Sequence, residues 1–434
     1  MLRGGCGASE ERVRLFHSFY PKPKLLLLTM IFWLAVSLFV WFTVGSSIAN
    51  VLGMSASAVA QPVVGIGYFF TSANLFFYCY FLFFLISFCL FWHFYAGDHP
   101  WKLWSIWGSG FVVFFSYFSV DISVAITYWR GPHYDLLVKA VSKPNVMQVT
   151  QWEIYSSALI FFELASVYII FAVFYAFFIS HYLFRWRNAM TDFYYSYWER
   201  VRTIEGASQR IQEDANRFAT TMEDLGTSAI QSFMTLIVYL PLLTVLSAKV
   251  KELPIIGEVP YPLVVAAIFW SVFGTLLMIV AGIKLPGLEF QKQRVEAAFR
   301  KELVYGEDDP ARAQPATIKE FFGNVRKNSF RMYWHYMYFN FFRFLYLQTD
   351  SIFPTLIMVP SLSAAVISFG AFQQIRDAFQ NVTNSFQYLV NSWPTMIELI
   401  SIYKRLQAFE RTMNDEPLPA MDREFIEAGE QEQF

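Results

Sequence analysis

The 434-residue chain is poor in charge, since Asp, Glu, Lys and Arg together make up only 15% of it. Soluble domains carry about a quarter. The net charge is −1 and no basic arm is concentrated anywhere, which removes the electrostatic footprint of a nucleic-acid binder. Cysteine is nearly missing: Cys6, Cys79 and Cys89 show no metal-ligand spacing, the latter two sit in an apolar run, and no disulfide framework follows. The histidines His17, His93, His99, His133, His181 and His335 are dispersed, so each reads as interfacial or structural and no metal site is expected. H-E-x-x-H, G-x-S-x-G and C-x-x-C are absent, and with them any visible nucleophile, base or zinc constellation, so no catalytic residue is expected. G-x-x-x-x-G-K-[ST] is absent too, and the residues after the last apolar stretch are too few for a nucleotide-binding domain, so neither that domain nor ATP as cofactor is expected.

What the chain has instead is apolar surface. Hydrophobic residues make up 56%, aromatic residues 20%, and Phe alone numbers 48. That composition predicts an all-α integral membrane protein, with runs long enough to cross a bilayer. Arg3, Arg12, Arg14, Lys22 and Lys24 precede the first run, which places residues 1–24 as a cytoplasmic segment by the positive-inside rule. A cleaved signal peptide is the competing reading. Spans are expected at Leu25–Ile48, Asn74–Tyr95, Leu103–Trp129, Tyr155–Phe184, Gly226–Ser247 and Leu263–Ile283, then a seventh from Phe330 and an eighth over Ala371–Tyr403. Between them the pattern reads an outside loop at Arg130–Glu153 and a soluble insertion at 185–224 split into two helices at Gly206. A return loop is read at Lys249–Pro260, a turn with a short helix at Val304–Lys327, and a tight return with Gly370 as hinge. With eight spans both termini fall on the cytoplasmic side, and an acidic tail occupies 410–434.

Charge inside this apolar frame marks the candidate sites. Read as a helix after Pro286, the segment GIKLPGLEFQKQRVEAAFRKELVYGEDD at 282–309 puts Glu289 and Glu296 on one face, with Glu302 and Glu307 following. Glu213 and Glu223 climb toward the fifth span, and Asp121 lies in mid-span within SVDISVA. A mid-span acid costs ~2.5–3.5 kcal/mol to insert, so it faces a wet cavity or makes a helix-packing hydrogen bond. Arg343 and Asp350 share a face two turns apart, too far for an easy direct pair and better linked through a third group. The eighth span carries Gln373, Gln374, Arg376, Asp377, Gln380, Asn381, Asn384, Gln387 and Asn391, too wet for lipid, and lines a cavity or an oligomer interface. Carboxylates flanked by apolar surface suit reversible proton loading. The bland reading pairs the glutamates as ordinary ion pairs, Lys292 with Glu296 or Glu296 with Arg300.

Several long segments carry a resemblance: SFYPKP at 18–23, SHYLFRWRNAMTDFYY at 180–195, IEGASQRIQEDANRF at 204–218, ELPIIG at 252–257, the 282–309 segment, WHYMYFN at 334–340, SFQYLVNSW at 385–393 and ELISIYKRL at 398–406. Together they closely resemble the SbmA/BacA family of bacterial inner-membrane peptide transporters. The W-R-x-x-x-T and Q-R-I-x-E-D patterns are also similar to the membrane half of peroxisomal-type ABC transporters. The resemblance implies two N-terminal spans within residues 25–100, an ABC-exporter-like six-helix domain over 101–409 with long cytoplasmic helical extensions, and a homodimer in the lipid bilayer. It implies import of peptides, antimicrobial proline-rich peptides included, by alternating access, driven by protons rather than ATP. Glutamates needed for transport would fall on Glu205, Glu213, Glu223, Glu289, Glu296 and Glu307, with Asp121 standing where relatives often carry Glu. The rival readings are a membrane subunit energised by a separate ATPase and a helper in membrane lipid modification.

Overall fold

The computed structural model describes residues 15–51, 63–142, 149–202, 208, 210–250, 252–254, 257–309 and 313–413. Almost all of them are helical. The described residues form one small sheet, an antiparallel hairpin pairing Glu252 with Glu258 and Leu253 with Gly257 inside the expected return loop. The principal helices are α1 (Leu15–Phe19), α2 (Pro23–Val40), α3 (Ser72–Tyr95), α4 (Ser109–Val141), α5 (Gln151–Ser196) and α6 (Ala215–Ser247). They continue with α7 (Pro262–Gly282), α8 (Leu285–Asp308), α9 (Pro315–Ser363), α10 (Phe369–Phe386) and α11 (Trp393–Met413).

Among the described residues, six helical stretches are long and apolar enough to cross a membrane: Pro23–Gly45, Ser72–Tyr95, Leu103–Val141, Gln151–Ser196, Arg210–Ser247 and Pro262–Glu289. The protein is thus an all-α membrane protein. The stretches expected as seventh and eighth spans are helical as well, but they carry too many polar residues to stand among the six. Helix α2 shows what lipid exposure looks like: Leu-rich along its length and without one buried residue. Pro23 starts it, where the missing N–H costs nothing.

Helices run further than the hydropathy pattern indicates. Helix α4 passes through Pro132 to Val141, so the first half of the expected loop at Arg130–Glu153 is helix. Helix α5 is capped by Thr150, whose Oγ1 accepts from Glu153 N at 3.3 Å, and continues unbroken for 46 residues to Ser196. At 1.5 Å per residue that is about 70 Å, more than twice a ~30 Å hydrocarbon core, so one end must leave the bilayer. The soluble insertion expected at 185–224 therefore begins as the end of α5; its break at Gly206 lies outside the described residues. Likewise the short helix expected within 304–327 is the start of α9, a 49-residue helix that passes through Pro354 and Pro360.

The expected single eighth span is instead α10, a short helical turn at Tyr388–Asn391, and α11. The hinge before it is not Gly370. The chain reverses over 364–368, where Ala365 takes a positive φ of 51° and Ser368 caps α10 by accepting from Ala371 N at 3.1 Å. Helix α8 begins at Leu285 rather than after Pro286.

The chain divides into two compact units. The first comprises Met1–Met234 with Glu398–Phe434. Its largest core cluster gathers α1 (Leu15, Phe19) with Tyr182, Trp186 and Met190 of α5, Phe218 of α6, and Ile402 and Leu406 of α11. The aromatic run at 193–198 divides there: Tyr194 is fully buried, whereas Tyr195 and Trp198 are exposed. The second unit, Thr235–Ile397, contains α7 to α10.

Candidate functional site

In the second unit three helices converge on one carboxylate. Asp350 of α9 is 3% exposed. Its Oδ1 accepts from Trp270 Nε1 of α7 at 2.7 Å and its Oδ2 from Gln380 Nε2 of α10 at 2.6 Å. Tyr346, one turn before Asp350 on the same face, donates to the Trp270 carbonyl at 3.4 Å and accepts from Gln387 Nε2. The Trp270 ring stacks on Tyr346 and, at 3.9 Å between centroids, on Phe353. Gly274, one turn along from Trp270, leaves the volume that the Tyr346 ring occupies. Hydrogen bonds to an ionised group contribute about 1.5–3 kcal/mol each, which offsets part of the cost of burying the carboxylate. Arg343 takes no part: it is exposed, and Asp350 is held by Trp270 and Gln380 rather than linked to Arg343 through a third group.

Helix α10 explains why its sequence looked wet. Phe372, Ile375, Phe379 and Val382 are buried along one side. Arg376, Gln380 and Asn384, spaced by four, line another, with Arg376 and Asn384 exposed and Gln380 half-buried. Gln380 Nε2 also donates to Asn384 Oδ1 at 3.2 Å, so a single amide touches both the buried carboxylate and the exposed stripe. Asp377 is half-buried, and Gln387 lies in the core at 4% exposure instead of on the stripe.

The glutamates are distributed differently. Glu205 lies outside the described residues. Glu213, on the widened turn Arg210–Asp214, approaches Arg217 at 3.8 Å, and Arg217 reaches Glu398 at 2.6 Å. Glu213 also lines an open depression of about 520 Å³ with Arg187, Ser208, Gln212 and Asn216. Glu223 is half-buried on α6. Glu289 pairs with Lys292 at 3.4 Å, so Lys292 meets the glutamate one turn before it and not Glu296 one turn after it, the pairing that the spacing offered. Glu296 and Glu307 are exposed, and Glu302 accepts from Ala313 N at 3.2 Å. Exposed ion pairs of this kind contribute about 0–1 kcal/mol.

Asp121 in the first unit is 2% exposed. It accepts from Tyr68 Oη at 3.0 Å and from Tyr78 Oη, which ties α4 to α3 and to the helical turn at Ile66–Phe70. These contacts are helix-packing hydrogen bonds, one of the two settings expected for a mid-span acid. Sequence reasoning missed its tyrosine donors, and missed Trp270 and Tyr346 around Asp350; the four-residue spacing of Tyr346 from Asp350 was the available signal. It also missed two buried acids, Asp214 and Glu410, at 5% and 7% exposure. Glu410 Oε1 accepts from Leu15 N at 2.8 Å, so the residue expected to open the acidic tail is part of the core.

Comparison with known proteins accords with this architecture. An inner membrane ABC transporter ATP-binding protein, YddA of Escherichia coli (strain K12), is 22% identical over 324 residues, which cover 69% of this chain and 55% of that protein. An uncharacterized ABC transporter ATP-binding protein of Haemophilus influenzae is 25% identical over 189 residues, 42% of this chain and 32% of that protein. The chain thus spans about half the length of the first relative and about a third of the second. The model of the SbmA/BacA-like family matches residues 98–414, from just after α3 to the end of α11, and the chain belongs to that family.

Proposed function

We propose that this chain imports peptides across the bacterial inner membrane, driven by the proton gradient, as a homodimer that alternates between outward and inward access. In this reading α9 and α10 complete eight spans, both termini are cytoplasmic, and the ABC-exporter-like six-helix part follows two N-terminal spans. The observation that carries it is α10, a helix too polar for lipid whose exposed edge, Arg376, Gln380 and Asn384, leads to the buried carboxylate Asp350. Such an edge offers donors and acceptors to a peptide backbone without demanding a particular side chain, which suits loose selectivity. Acids on α6 and α8, Glu223, Glu289 and Glu296 among them, are the candidate proton-coupling groups of this reading. One proton moving down 100 mV releases about 2.3 kcal/mol, enough to bias a rocking transition of similar size.

The test is purified protein in liposomes with an imposed inward pH difference and a fluorescein-labelled proline-rich peptide as cargo. Accumulation is expected, abolished by a protonophore and unchanged by ATP. Glu223→Gln and Glu296→Gln variants are expected to reach the membrane and lose uptake. The names of the two relatives favour a second reading, a membrane subunit energised by an ATPase. Uptake that appears only when an ATP-hydrolysing partner is added would establish that reading instead.

A further inference from the structure

We propose that the depression between α5 and the start of α6 is a peptide subsite, in which Arg187 holds the C-terminal carboxylate of the cargo. The inference rests on the transport reading above and gives the cargo a holding place where α5 has turned polar.

The arginines of these two helices differ in what they touch. Arg185 lies 3.8 Å over the Trp104 ring and donates to the His181 carbonyl at 3.1 Å, and Arg217 reaches Glu398 at 2.6 Å. Arg187, two residues along from Arg185, is half-buried and makes no ion pair, hydrogen bond or ring contact with any described residue. Glu213 shares the depression with it but turns to Arg217 at 3.8 Å. A guanidinium is a planar fork of N–H donors with no acceptor, and a carboxylate matches it by taking two of those donors side by side.

The other walls say what is attached to that carboxylate. On the widened turn Arg210–Asp214, Ile211 and Asp214 are buried while Gln212 and Glu213 stay together at the rim, and Asn216 follows one turn after Gln212. The side chains of Gln212 and Asn216 have no partner among the described residues. Each amide offers a donor and an acceptor, the complement of the C=O and N–H of a peptide bond. Glu213 is exposed to the same space and accepts from a basic side chain. A guanidinium, two amides and a carboxylate therefore fit the end of a cationic peptide with a free C-terminus. A polyphosphate fits less well, since it sets its charge against Glu213 and leaves the amide acceptors unused. The volume, about 520 Å³, lies in the ~300–1,000 Å³ range of small-ligand sites, room for the end of a peptide and too little for a folded domain.

The experiment is equilibrium binding, read as fluorescence anisotropy, of a proline-rich peptide labelled with fluorescein at its N-terminus. Detergent-solubilised protein is offered the peptide as free acid or as C-terminal amide, without any gradient. Wild type is expected to bind the free acid at least about tenfold more tightly, the effect of one hydrogen bond to a charged group. Arg187→Gln is expected to bind both forms alike, at the wild-type affinity for the amide. Arg187→Lys, which keeps the charge and loses the fork, is expected to show a smaller preference than wild type. Because Arg187 has no partner among the described residues to lose, the unfolding midpoint of Arg187→Gln is expected to match wild type. Inorganic phosphate added as competitor is expected to leave the free acid bound. Equal binding of acid and amide by wild type, a preference that survives in Arg187→Gln, or displacement of the free acid by phosphate overturns the inference. So does a midpoint of Arg187→Gln well below wild type, which would show the guanidinium serving the fold. None of these outcomes touches the transport reading, which stands or falls on gradient-driven uptake by the wild type.

Discussion

Gly274 lacks a side chain because the Tyr346 ring occupies the place where a Cβ would stand. Gly274→Ala forces that ring off Trp270 and is expected to destabilise the protein by about 1–3 kcal/mol, the usual cost of overpacking, read as a lower unfolding midpoint in detergent. Trp270→Phe keeps most of the stacking and removes one of two donors to Asp350. Leaving a buried acceptor short of a donor costs about 1–3 kcal/mol, so the same measurement is expected to register it. Both acids, Asp121 and Asp350, were legible in the sequence because a carboxylate stands out in an apolar run. Their aromatic donors were not, because in a chain that is 20% aromatic no single Tyr or Trp contrasts with its neighbours. Arg343 drew attention as the opposite charge on the face of Asp350, yet a partner two turns away loses to Trp270 and Gln380, which need no reach.

The element boundaries that sequence placed at polarity changes are, for the most part, not helix ends. Helices α4, α5 and α9 all continue into polar sequence, since Arg, Glu, Gln and Lys favour helix nearly as well as Leu does, and hydropathy reports the bilayer rather than the backbone. The break after α10 was hidden for the converse reason: Gln387 and Ser392 are polar in a helix that was polar throughout. The true reversal before α10 depends on a Ser368 cap. Ser368→Ala is expected to cost about 1 kcal/mol and to speed amide exchange at Ala371 and Phe372. Glu398→Gln, which weakens the exposed contact to Arg217, is expected to change stability by less than about 1 kcal/mol and to leave uptake intact.

At the scale of the molecule, membrane residence and family were both legible, because apolar runs of span length and the long segments that carry the family resemblance do not depend on where the loops fall. The polar network that brings α7, α9 and α10 together was not, since it joins residues 270, 350 and 380 that no local pattern connects. A protonophore is expected to collapse peptide accumulation in liposomes to the level of protein-free vesicles. One pairing in the first unit carries a different consequence. Leu15 and the carboxylate that receives its amide are 395 positions apart. At 5–20 residues per second a ribosome needs roughly 20–80 s to make the intervening chain. Throughout that interval Leu15 and Phe19 have no α11 to close over them, so α1 is synthesised long before the core it belongs to can be completed.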